Sequence, residues 1–103
     1  MHYMNEKDSK KFREIDDLVK RARKFEGKLN LEITAKIKHD PNYRHEEKEK
    51  KCVEINNLIH RIDSGYRTRI ARVGVEFLDE KTMGIYEEDM RKLEKLISCK
   101  NQI

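Results

Sequence analysis

Residues 27–41 read GKLNLEITAKIKHDP, and the reading of this stretch decides between two folds. Leu29, Leu31, Ile33, Ala35 and Ile37 alternate with Asn30, Glu32, Thr34, Lys36 and Lys38, so every position from 29 to 38 fits a period of two. On a helix, at about 100° per residue, Leu29, Ile33 and Ile37 would share a face while Leu31 and Ala35 fell on the far side. The strand template accounts for more positions. Gly27 and Asp40-Pro41-Asn42 supply boundaries on either side. The pattern therefore predicts a strand over 29–38. Against it stands one observation: Leu29, Ile33 and Ile37 extend the apolar ladder of the preceding segment across Gly27.

That preceding segment, residues 7–26, reads KDSKKFREIDDLVKRARKFE and is helical by spacing. Phe12, Ile15, Val19, Ala22 and Phe25 recur every three or four residues, with Leu18 beside them. Asp8 or Ser9 can cap its start and Gly27 its end. Downstream, residues 44–63 place Cys52, Ile55, Leu58, Ile59 and Ile62 on one helical face, and Asp63-Ser64-Gly65 reads as a stop. The next stretch, RTRIARVGVEFLDE, repeats the opening ambiguity. Ala71, Val73, Val75 and Phe77 alternate with Arg72, Gly74 and Glu76, whereas Ile62, Tyr66, Ile70, Val73 and Phe77 suit a helix running on through Gly65. The β-branched residues and glycines favour a strand. Residues 79–98 form a last helix with Tyr86, Met90, Leu93 and Ile97 as its stripe.

The expected fold is α+β: one domain over 1–103, ordered helix-strand-helix-strand-helix. Two strands make a poor sheet alone, so the short sheet is expected to be completed by oligomerisation. The alternative is an all-α helical hairpin or three-helix bundle, if both predicted strands are helical.

The chain has 103 residues, 36% hydrophobic and 43% charged, which leaves room for one thin core. With 24 basic and 20 acidic side chains the net charge is +4, which permits nucleic-acid binding without requiring it. Cys52 and Cys99 fit neither a zinc spacing nor a disulfide framework. No apolar run approaches the roughly 20 residues that span a bilayer, and the first 30 residues are charged throughout, unlike a secretory signal. A cytoplasmic protein without a membrane segment is expected.

One pattern points to a ligand. On a helical wheel Lys10, Arg13, Lys20, Arg21, Lys24 and Lys28 lie within an arc of roughly 100°, interrupted only by Asp17. The ridge extends about 27 Å, long enough to follow several phosphates. A second basic group, Tyr66, Arg67, Arg69 and Arg72, pairs arginines with an aromatic ring, a combination suited to phosphate contact and base stacking. The competing reading of both groups is an ordinary solvated surface. A third group, Tyr43-Arg44 with Lys48, Lys50 and Lys51, is interleaved with Glu46, Glu47 and Glu49 and reads as a self-paired helix surface.

Other chemistry is weakly supported. His39, Asp40, His45 and Glu46 cluster in sequence but lack the i, i+4 histidine pair of a helical zinc site. Cys52 and His60 lie about 12 Å apart along one helix, too far for a nucleophile and its base. No Gly-rich phosphate loop is present. No metal, no cofactor and no small-molecule substrate is expected, nor an enzyme.

From Leu29 to Ile97 the expected strand-helix-strand-helix order, with His39-Asp40 after the first strand, resembles the C-terminal domain of bacterial translation initiation factor three. That family has further strands after the last helix, which this sequence does not supply before Ile103. Residues 17–32, DLVKRARKFEGKLNLE, are similar to the opening helix of some Golgi SNARE N-terminal domains, without a SNARE helix or membrane anchor following. Neither resemblance assigns a role to a residue here. The expectation for function is a small non-enzymatic binding protein, contacting nucleic acid or a ribonucleoprotein through the basic helix face. The alternative is a protein–protein interaction module acting as a homo-oligomer.

Overall fold

The computed structural model describes residues 4–98. Helix α1 spans Glu6–His39, α2 Glu46–His60, α3 Arg67–Val73 and α4 Glu80–Ser98. A π-helical stretch, Arg61–Tyr66, joins α2 to α3 without a break, and a short 3₁₀ turn, Val75–Phe77, precedes α4. Among the described residues there is no strand. The α+β expectation is thus overturned, together with the sheet that oligomerisation was to complete and the resemblance to an α/β translation-factor domain. The all-helical alternative describes the chain.

The reason lies in residues 27–41. α1 runs straight through Gly27 and holds Leu29 and Ile33 in the core, while Leu31 is 71% exposed. Ala35 is exposed as well. The alternation was real in the sequence, but half of it faces water. A strand would have needed a sheet to receive both faces; the helix needs only one stripe, and Leu18, Ala22, Leu29 and Ile33 provide it. Gly27 is not a cap. A Cβ built on it would meet nothing within 4 Å. The helix instead ends at Asp40, whose N–H reaches the Lys36 carbonyl at 2.8 Å. Asp40 Oδ1 then accepts the Asn42 N–H at 3.0 Å, closing the turn at Pro41.

The start is also set differently from expectation. Asn5, not Asp8 or Ser9, is the N-cap. Its Oδ1 accepts the Asp8 N–H at 3.0 Å, and Asp8 Oδ2 accepts the Asn5 N–H at 3.4 Å, a reciprocal capping box. Asp8 is fully buried and its Oδ1 also accepts the Val75 N–H at 2.8 Å, which ties the first turn of α1 to the 3₁₀ turn.

The predicted second strand is likewise helical. Leu58, Ile62, Tyr66 and Ile70 are spaced by four and all are buried. At 3.6 residues per turn such a series drifts around an α-helix by about 40° per step. The wider π turn at Arg61–Tyr66 takes up that drift, so Ile62, Tyr66 and Ile70 stay on the core side. Asp63-Ser64-Gly65 is part of this turn, not a stop. The helical run ends at Gly74, whose φ of 84° is open to glycine at little cost.

Ion pairs and one hydrogen bond show how the helices align. Asp16, Arg23, Glu26 and Glu32 of α1 meet Arg67, Asp63, Asn56 and Lys48 respectively, so α1 and the α2–α3 run are antiparallel. Lys11 meets Glu87 and Arg21 meets Glu94, so α4 runs parallel to α1. Ser98 is then level with Phe25. From there α1 continues for about 21 Å, paired with the greater part of α2. The described residues therefore form a three-helix bundle at one end and a two-helix arm at the other. Its extents are 53 × 21 × 21 Å, and its radius of gyration of 16.5 Å exceeds the about 13 Å of a compact chain this long.

Candidate functional site

The ten residues singled out in the sequence fall into two unlike sets. Lys10, Arg13, Lys20, Lys24 and Lys28 are exposed on the outer face of α1, and none has an ion pair among the described residues. Arg21 belongs to the same face by spacing but is held elsewhere. Its Nη1 and Nη2 donate to the two Glu94 carboxylate oxygens at 2.9 and 2.7 Å, and its Nε donates to Asp17 at 3.0 Å. That fork holds the Glu94 carboxyl below its usual range. Arg21 fastens α4 to α1, and with Asp17 it divides the ridge.

The second basic group is not gathered into a surface. Tyr66 is fully buried; its ring stacks on Tyr86 with centroids 5.0 Å apart, and its hydroxyl donates to Glu87 Oε2 at 2.6 Å. Arg67 contacts Asp16, reaches Asp63 at 2.7 Å and lies over the Phe12 ring at 5.6 Å. Arg69 Nε donates to the Tyr86 hydroxyl at 3.2 Å. Arg72 is exposed on α3. The residues that looked suited to stacking and bidentate phosphate contact are largely engaged within the fold.

Tyr66 sits in a small polar network. Lys11 Nζ bridges Glu87 at 3.0 Å and Glu14 at 2.9 Å. Burial pushes the Tyr66 phenol up, and the Glu87 carboxylate adds to the shift. Burial alone would lower Lys11, but Glu14 and Glu87 outweigh it and raise the amine. No signal in the sequence isolates this network, because Glu14 and Glu87 look like any exposed acids of a charged helix. Asp89 is 3% exposed on α4, and Arg61 Nη2 lies 3.1 Å from its Oδ2 without the alignment of a hydrogen bond.

Two surfaces lie outside the residues that charge and motif single out in the sequence. On the arm, Leu31, Ile37 and Val53 are exposed. Val53 floors a shallow hollow of about 460 Å³ on the outer side of α2, lined also by Glu46, Glu49, Lys50, Glu54 and Asn57. Leu31 was legible in principle. It is the leucine that the helical template left over. Near the other end, Phe77 and Ile85 are exposed beside the start of α4.

The remaining chemistry is quiet. Among the described residues no three His, Cys, Asp or Glu side chains come together in a way that could hold a metal ion. The Cys52 thiol is buried, which pushes it up out of the reactive range; Cys99 lies outside the described residues. At the tip Tyr43 stacks on His45 and lies under Lys36, a closed set of contacts around the turn. Among the described residues no helix is long and apolar enough to cross a membrane. Compared with known protein families, characterised proteins and solved structures, the chain shows no significant match to any.

Proposed function

We propose that this protein works by binding another protein through its two-helix arm. The observation that carries the reading is the arm itself. Beyond the described end of α4, α1 and α2 continue side by side with Leu31, Ile37 and Val53 facing solvent. Isolated apolar side chains on a surface need no explanation. Here, however, they lie on the outer faces of α1 and α2 along the stretch that extends past Ser98, the last described residue of α4, and helix-in-groove recognition uses such faces. A nucleic-acid contact is the second reading. It is favoured by the five ridge cations of α1, Lys10, Arg13, Lys20, Lys24 and Lys28, that have no ion pair among the described residues, and weakened by the internal engagement of Tyr66, Arg67 and Arg21.

A photo-crosslinking residue at position 31 or 53, with exposed Thr68 on α3 as control, separates the two in cells. Protein adducts at 31 and 53 but not at 68 are expected. Nuclease-sensitive adducts at 31, or no adducts beyond the control, overturn the reading.

A further inference from the structure

The arm carries two faces that match each other. On the outer side of α1, Lys24, Lys28 and Leu31 follow one another at i, i+4 and i+7, and Leu31 is 71% exposed. On the outer side of α2, Glu46, Glu49 or Lys50, and Val53 occupy the corresponding turns, with Glu54 alongside, and Val53 is 55% exposed. Lys24 and Leu31 are seven residues apart, as are Glu46 and Val53. Seven residues is two helical turns, the repeat that keeps a contact on one side of both partners. The first face offers two lysines and a leucine. The second offers three glutamates and one lysine around a valine-floored hollow. Lys24, Lys28, Glu46 and Glu54 have no ion pair within the described molecule.

We propose that the arm binds a second copy of this chain. α1 of one molecule lies along α2 of the next, in the same direction, with Leu31 in the hollow over Val53, Lys24 against Glu46 and Lys28 beside Glu49. The inference rests on the arm being a protein-binding surface and names the partner. Each molecule keeps its α1 face and its α2 face on opposite outer sides of the hairpin. The contact is therefore heterologous: a pair formed this way retains one unused face of each kind and can add further copies. Screening weakens the charged part of the contact, so association falls with salt.

Charge exchange tests the arrangement. One variant carries Lys24→Glu with Lys28→Glu, the other Glu46→Lys with Glu49→Lys; circular dichroism confirms that each keeps the helical content of the parent. In low salt the parent gains mass in sedimentation as its concentration rises through the micromolar range. Each variant alone places like charges on both faces and stays monomeric. An equimolar mixture of the two restores opposite charges and associates again. Leu31→Glu, which leaves the α2 end intact, also stays monomeric and supplies the test if the lysine variant of α2 fails to fold. A parent that remains a monomer, a Leu31→Glu protein that associates like the parent, or two folded variants that do not associate when mixed overturns the proposal. Protein adducts at positions 31 and 53 with a monomeric parent would leave the arm as a binding surface for a different protein, and sink only the second copy.

Discussion

Tyr66 and Arg21 show how residues that look like ligand contacts come to hold the fold. The Tyr66 phenol is buried against Tyr86 and donates to Glu87. A hydrogen bond to a charged acceptor contributes about 1.5–3 kcal/mol. Glu87 keeps Lys11 after Tyr66→Phe, so a loss near the lower end, about 1–2 kcal/mol, is expected in a denaturant melt. The pH dependence has a definite sign. The folded phenol titrates above the unfolded one, because burial and Glu87 both disfavour the phenolate. Its contribution is complete below about pH 10, where unfolded tyrosine is still protonated, and is lost as pH rises beyond that, because unfolding then releases a proton. The parent should lose stability steeply above that pH and Tyr66→Phe less steeply; equal slopes would show that the phenol is not shielded. Arg21 makes a different point. In the ridge reading it was one more exchangeable cation, yet it clamps Glu94 and Asp17. Arg21→Glu should lower stability by about 1 kcal/mol through lost pairing and new repulsion, while Lys24→Glu should stay within about 0.5 kcal/mol. Thermal melts of the two single variants decide it.

The helices explain what the sequence could and could not tell. Where one stripe alone was apolar, as in residues 12–25, 52–62 and 86–97, spacing located the helix correctly. Residues 29–38 misled because Leu31 and Ala35 added a second, exposed set of apolar positions, and counting cannot tell a half-buried strand from a helix with a sticky outer face. Gly27 reinforced the error by resembling a cap, and Gly65 did the same at the π turn. The candidate site was legible only as charge: the ridge is where spacing placed it, but which of its cations have internal partners depends on Glu94, seventy-three residues away from Arg21 in sequence. The three helical glycines now separate by what surrounds them. A Cβ at Gly27 or Gly84 meets nothing within 4 Å, so Gly27→Ala and Gly84→Ala should each stabilise by about 0.5–1 kcal/mol. At Gly65 a Cβ would sit 2.8 Å from the Tyr86 hydroxyl oxygen and 3.1 Å from its ring. That ring is pinned by Tyr66 and Arg69, so Gly65→Ala should destabilise by about 1–3 kcal/mol. Urea midpoints of the three alanine variants give the test: if Gly27→Ala were as harmful as Gly65→Ala, α1 could not be running straight through residue 27.

On the scale of the molecule, length and thickness are mismatched. Most of the largest fully buried side chains, Ile15, Ile62, Tyr66, Ile70 and Leu93, lie where three helices meet, whereas the arm is closed mainly by Leu29, Ile33, Cys52 and Ile55. Local opening costs least where few apolar contacts must be broken. The outer arm, residues 30–39 and 46–51, should therefore exchange its amide hydrogens through small local openings, and residues 12–26, 58–70 and 86–97 only through much larger ones. The contrast should be read in dilute solution, where copies are apart. Raising the protein concentration should then slow exchange in the arm and leave the bundle unchanged, because a ligand that binds only the closed state stabilises it by mass action. Arm amides as protected as the bundle in dilute protein would mean that two helices suffice to hold this end shut. Equal slowing along the whole chain would place the contact between copies somewhere other than the arm.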